Sequence, residues 1–151
     1  MRPPHIGVIL NFDKTRNLII NHEGCMLHPY KDSVGKLTIG VGRNLDDVGI
    51  SQDEAYFMLN NDINKALFSC QNGLPWFNSL DEVRQAVMID MVFNLGFGGF
   101  LKFVMTIEHI KRDEYELAAE TMLDSKWAGQ VGIRAKELSE MMRTGQWPDG
   151  V

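Results

Sequence analysis

Apolar positions change their spacing twice along this chain. From residue 14 to 23 the period is helical: Leu18, Ile19 and His22 share a face, Asp13 or Thr15 can cap the start, and Gly24 stops the run. Residues 25–43 lose that period. Pro29, Gly35, Gly40 and Gly42 punctuate them, and Leu37-Thr38-Ile39-Gly40-Val41 is β-rich, which predicts a small antiparallel sheet with a turn near Ser33 to Lys36. A polar loop covers 44–50. Helical spacing returns with Ser51-Gln52-Asp53-Glu54, a capping box in which the Ser side chain and the Glu carboxylate each satisfy a free backbone donor. Ala55, Met58, Leu59, Ile63, Ala66, Leu67 and Cys70 then repeat to about residue 71, and Gly73 ends the helix. Its apolar stripe is single, as suits a helix bridging two lobes.

The remainder reads as helical. Pro75 suits the first turn of a short helix. Val83, Ala86, Val87, Met88, Ile89, Met91, Val92, Phe93 and Leu95 crowd residues 83–95, so a helix over 81–95 is expected to have no polar face and to lie buried at the centre. Gly96, Gly98 and Gly99 predict a turn. Helices follow over about 100–110, 113–124 and 132–143, the second capped by Asp113 with Glu116 in its first turn. Gly145 and Pro148 terminate the last. The expected architecture is α+β and mainly helical. A small antiparallel β lobe covers about 24–50, a long bridging helix 51–71, and a helical lobe 72–151 together with 14–23, all one domain over 1–151. A ligand groove is expected where the lobes meet.

Composition narrows the class. At 151 residues the chain is one domain's length, able to bury a core without staples. No apolar run approaches the roughly 18 residues of a membrane span, and Met1-Arg2-Pro3-Pro4-His5 does not open a secretory leader. No stable membrane anchor is expected. Two cysteines, Cys25 and Cys70, are too few for a disulfide framework and read as reduced thiols. The net charge of −5 argues against nucleic acid as a partner. The charge is uneven, however. Lys14, Arg16, Lys31, Lys36 and Arg43 outweigh Glu23 and Asp32 over 14–43, a sum of +3, whereas 44–65 sums to −4. An anionic polymer could be steered to the basic stretch.

Candidate chemistry falls in that stretch. Glu23 ends a helix, at the negative end of its dipole and expected to be partly out of water; both conditions disfavour a charged carboxylate, as a general acid requires. Asp32 follows nine residues later in the sheet, and Thr38 six beyond that in the next strand. Two carboxylates from different elements facing one groove is what glycoside hydrolysis needs, one to protonate the leaving oxygen and one to act on the far face of the sugar.

The residues around them are more specific. His22-Glu23-Gly24, Tyr30-Lys31-Asp32 and Gly35-Lys36-Leu37-Thr38-Ile39-Gly40-Val41-Gly42 resemble the signature of phage-type lysozymes, glycoside hydrolase family 24. The resemblance continues through Ser79-Leu80-Asp81-Glu82-Val83-Arg84, Met91-Val92-Phe93-Asn94, Ser125-Lys126-Trp127, Arg134-Ala135-Lys136 and Arg143-Thr144-Gly145-Gln146-Trp147. It implies a muramidase that cleaves peptidoglycan with inversion and uses neither cofactor nor metal. Glu23 would be the general acid, Asp32 the base activating a water, and Thr38 the residue holding that water. Arg134 would pair with Glu23, and Phe93 and Asn94 would line the cleft. The implied setting is an endolysin, a monomer held in the host cytoplasm until a separate holin-like pore-former admits it to the wall.

This chain departs from the family pattern at three points. Where many relatives have a His paired with an Asp of the bridging helix, Arg43 and Asp62 stand here, and an ion pair between them is expected. Arg does not titrate in the usual range. The chain is acidic where many relatives are basic, and residues 1–13 extend beyond the usual first helix. Two rivals keep the fold: an idle wall-binding protein, and a lytic transglycosylase, which needs no water-activating base. Retention of Glu23, Asp32 and Thr38 argues against both. His22, Cys25 and His28 straddle a helix stop and supply no fourth metal ligand. Asn44, Asp46 and Gly49 only faintly echo a calcium loop, with Val48 and Ala55 where oxygen ligands belong. Trp76, Phe77, Phe97, Phe100 and Phe103 read as core.

Overall fold

The computed structural model describes residues 9–151; the start weighed above as a leader lies outside the described residues. The elements run α1 (Phe12–Glu23), β1 (Met26–Lys31), β2 (Leu37–Gly40), β3 (Arg43–Asn44), α2 (Gln52–Gly73), a 3₁₀ turn (Phe77–Ser79), α3 (Glu82–Phe100), α4 (Val104–Lys111), α5 (Tyr115–Leu123), α6 (Lys126–Val131) and α7 (Ile133–Thr144). This is the α+β, mainly helical class expected. Two compact units divide the chain, Met1–Ala55 and Tyr56–Val151, the boundary falling in the first turn of α2.

In the first unit α1 starts two residues before the expected helix. Its cap is Asn11, whose Oδ1 accepts the Lys14 N–H at 3.0 Å, rather than Asp13 or Thr15; the Thr15 hydroxyl donates to the Asn11 carbonyl at 2.8 Å. The Gly24 N–H closes the helix on the Ile20 carbonyl at 2.7 Å. On its apolar face Leu18 and Ile19 are about half exposed, at 53% and 47%. Three short strands offer it little apolar surface. The sheet is antiparallel with order β1-β2-β3, pairing Tyr30 with Thr38, Lys31 with Leu37, Thr38 with Asn44 and Ile39 with Arg43. A bulge between Met26 and Tyr30 shifts the register of β1, beside Pro29, which has no N–H to give to a ladder.

The capping box forms as its sequence demands, with the Glu54 N–H on Ser51 Oγ at 3.1 Å and the Ser51 N–H on Glu54 Oε1 at 3.3 Å. Along α2 only Ala66 and Cys70 of the apolar stripe are buried.

The second unit holds the core. Phe77, Val87, Met88, Met91, Phe100, Ile110, Met122, Ala135 and Met142 are closed to solvent. The aromatics behave as core residues: Phe77 and Phe100 are fully buried, and Trp76, Phe97 and Phe103 are partly buried against the core. α3 is the central helix, but it continues past the predicted turn to Phe100 with a single break at Gly96, where φ is 73°. It also carries a polar edge, formed by Asp90 and Asn94, that the apolar count concealed. α6 falls between the helices read from the pattern. Its cap is Ser125, whose Oγ accepts the Ala128 N–H at 3.2 Å. α5 lacks the Asp113 cap: Asp113 adopts a left-handed φ of 59° and its carboxylate accepts the Tyr115 hydroxyl at 2.8 Å. Gly145 ends α7 in the left-handed conformation, its N–H on the Met141 carbonyl at 2.8 Å. Among the described residues no single helix is long and apolar enough to cross a membrane.

Candidate active site

Glu23 is the last residue of α1, and the Gly24 stop turns the chain directly into β1. Its carboxylate lies over the β2–β3 turn, against Gly42. A methyl carbon placed on Gly42 would stand 2.8 Å from Glu23 Oε2 and 3.0 Å from its carboxyl carbon. Gly42 also holds a left-handed φ of 64°. A side chain there would be strained by the backbone and would collide with the carboxylate. Glu23 is exposed.

Asp32 sits at the opposite end of β2, in the β1–β2 turn. One carboxylate oxygen, Oδ1, accepts two backbone N–H groups, from Val34 at 3.0 Å and Lys36 at 2.8 Å. This is the local bonding that makes Asp a turn residue. It fixes the side chain and leaves Oδ2 with no hydrogen bond from the described residues of the unit. The Asp32 N–H donates to the Lys36 carbonyl at 2.9 Å. Thr38, buried to 3% exposure, donates its hydroxyl to that same carbonyl at 2.9 Å. Asp32 and Thr38 are thus tied to one backbone oxygen. The Thr38 oxygen keeps its lone pairs for accepting.

Arg43, at the start of β3, pairs with Glu54. Its Nη1 donates to both oxygens of Glu54, at 2.9 and 2.7 Å, and lies 3.3 Å from the Gly49 carbonyl. Glu54 stands two turns before Asp62 on α2 and is already held in place by the capping box. The guanidinium therefore closes the 44–50 loop within the first unit. It draws the Glu54 carboxyl below its ordinary value of 4.5, the hydrogen bond from Arg43 being the largest cause and the Ser51 N–H the next.

Phe93, Asn94, Asp62 and Arg134 belong to the second unit. Asp62 and Phe93 line one cavity of about 390 Å³ with Lys65, Ser69 and Phe97. Phe93, 47% exposed, also borders a groove of about 490 Å³ walled by Leu59, Ile63, Leu67 and Ile89. Asn94 is oriented by the buried Trp127, whose Nε1 donates to Asn94 Oδ1 at 2.7 Å. Arg134 is held by Asp90: Nε and Nη2 reach Asp90 Oδ1 at 2.8 and 2.7 Å. Asp90 belongs to none of the sequence motifs. The signal was present, since Asp90 is the only charged residue between Arg84 and Lys102. Among the described residues no His, Cys, Asp and Glu cluster of three or more is placed to hold a metal ion.

The first unit therefore presents one open carboxylate at a helix end, one carboxylate pinned at a hairpin turn, and a stiff hydroxyl sharing a backbone oxygen with the second. That set can donate a proton, accept one, and hold a water. Residues 20–143 match the family model for phage lysozyme. The probable T4-type lysozymes 1 and 2 of Dictyostelium discoideum are each 25% identical to the chain, over 86% of it and 94% of their own length. Matched from the last turn of α1 to the end of α7, the chain belongs to the phage lysozyme family.

Proposed function

We propose that the protein is a muramidase, hydrolysing the β-1,4 bond between N-acetylmuramic acid and N-acetylglucosamine in bacterial peptidoglycan with inversion at the anomeric carbon. Family membership supports the glycoside hydrolase class and peptidoglycan as substrate. The finer reading rests on one observation: the Asp32 backbone N–H and the Thr38 hydroxyl share the Lys36 carbonyl, so a fixed base and a hydroxyl are anchored on one peptide. In this reading Glu23 protonates the glycosidic oxygen as the bond breaks. Asp32 takes a proton from a water held by Thr38, and that water attacks the anomeric carbon from the opposite face. Inverting enzymes keep the two carboxyl groups about 6.5–9.5 Å apart to admit the water. Phe93 and Asn94 line the sugar path. Lysis of a bacterial host, waiting in its cytoplasm for a separate pore-forming partner, is the biological role proposed. Digestion of purified peptidoglycan tests the chemistry. New reducing ends are expected; anhydro-sugars would mean a transglycosylase, and no release would mean a wall-binding protein.

A further inference from the structure

The outer edge of β2 is completed by a side chain. β3 is only two residues long and pairs with β2 at Thr38 and Ile39. One residue earlier on β2 the Leu37 carbonyl accepts the Leu45 N–H at 2.7 Å, and the Leu37 N–H donates to Asp46 Oδ2 at 2.8 Å. The Asp46 carboxylate thus serves as the acceptor that a longer β3 would have offered from its backbone. The loop holds it there. Asn44 Oδ1 accepts the Asp47 N–H at 2.9 Å, and the Asn44 carbonyl accepts the Val48 and Gly49 N–H groups at 3.2 Å. Asp47 in turn takes Lys36 Nζ at 3.1 Å and Asn44 Nδ2 at 3.0 Å.

The Leu37 N–H and the Lys36 carbonyl belong to one peptide group. That group is planar, so orienting its N–H orients its C=O. The C=O is the atom on which the Asp32 N–H and the Thr38 hydroxyl both converge. A hydrogen bond donated by the N–H of a peptide also polarises its C=O. We infer that Asp46 is a positioning residue: its carboxylate fixes the Lys36–Leu37 peptide and through it sets Asp32 and Thr38 relative to each other. Asp46 acts through that peptide alone, and its catalytic consequence rests on the muramidase reading.

The test compares Asp46→Ala, which loses the acceptor, with Asp46→Asn, which keeps an oxygen there. Two readouts are taken: kcat and KM on soluble peptidoglycan fragments, and amide hydrogen exchange at Leu37. Asp46→Ala should lower kcat about ten- to a hundredfold with KM unchanged, as small misplacements of reacting groups do, and should speed Leu37 exchange. Asp46→Asn should restore most of both. A folded Asp46→Ala protein with wild-type kcat, or an Asn variant no better than Ala, overturns the inference. Should Asp46→Ala fail to fold, the wild-type Leu37 amide decides: protection upholds the brace, and exchange at the rate of an open loop refutes it. A wild-type protein that releases no sugar, yet loses Leu37 protection without Asp46, refutes the muramidase reading and leaves the brace standing.

Discussion

Glu23 and Asp32 are two carboxylates made different by their surroundings. Asp32 has one oxygen committed to two backbone N–H groups, so it is held as an acceptor. Glu23 lies exposed over a glycine that leaves room for its carboxyl group alone. The first arrangement suits a fixed base, the second an acid that must reach a leaving oxygen. Glu23→Gln preserves shape and removes the transferable proton. It should lower the turnover number by about 10² to 10⁴ while leaving the thermal midpoint unchanged, as measured by release of reducing ends beside a thermal melt. Wild-type turnover in the folded variant would dismiss Glu23 as the acid.

At the scale of elements, what was legible from sequence was local. The Ser51–Glu54 box, the Gly24 and Gly145 stops and the 33–36 turn each depend on residues within a few positions, and each forms. Reciprocal choices were not legible. Asn11, Asp13 and Thr15 are all competent caps, and only the placed backbone selects Asn11. Arg43 could reach a carboxylate at either of two positions on one helix, and it takes Glu54, which the capping box has already immobilised. Arg134 finds Asp90, 44 residues away, where no spacing rule applies. α6 is six residues with Gly129 inside, too short for a periodic pattern to stand out.

The Arg43 substitution has a consequence in acid. Glu54 titrates below 4.5 in the folded chain, so its pairing stabilises the fold fully above that value and is lost as pH falls through the lowered one. Arg43 stays charged throughout. Arg43→Ala should therefore lower the thermal midpoint at pH 7, with the deficit shrinking as pH falls below 4.5. Melts from pH 7 to pH 2.5 check it; a deficit independent of pH would mean that Arg43 acts by packing alone. A histidine at position 43 would add a second loss near neutrality, which this chain is spared.

For the whole molecule, the proposed route of the water fixes the stereochemistry of the product. With Asp32 as base the sugar first released carries the α configuration, inverted from the β linkage. Proton NMR in the first minutes, before mutarotation, reads it; an initial β product would mean that Asp32 attacks carbon and that Thr38 holds no water. The same molecule carries two thiols of opposite character. Cys70 is closed to solvent and burial pushes its thiol up to about 11, whereas Cys25 is exposed. Native protein at pH 8 should consume one equivalent of iodoacetamide, and a second only on denaturation. Cys25 lies two residues beyond Glu23, at the hinge between α1 and β1. The protein thus supplies its own attachment point for a fluorophore or spin label, at a single site beside Glu23, with no engineered cysteine and no cysteine to remove.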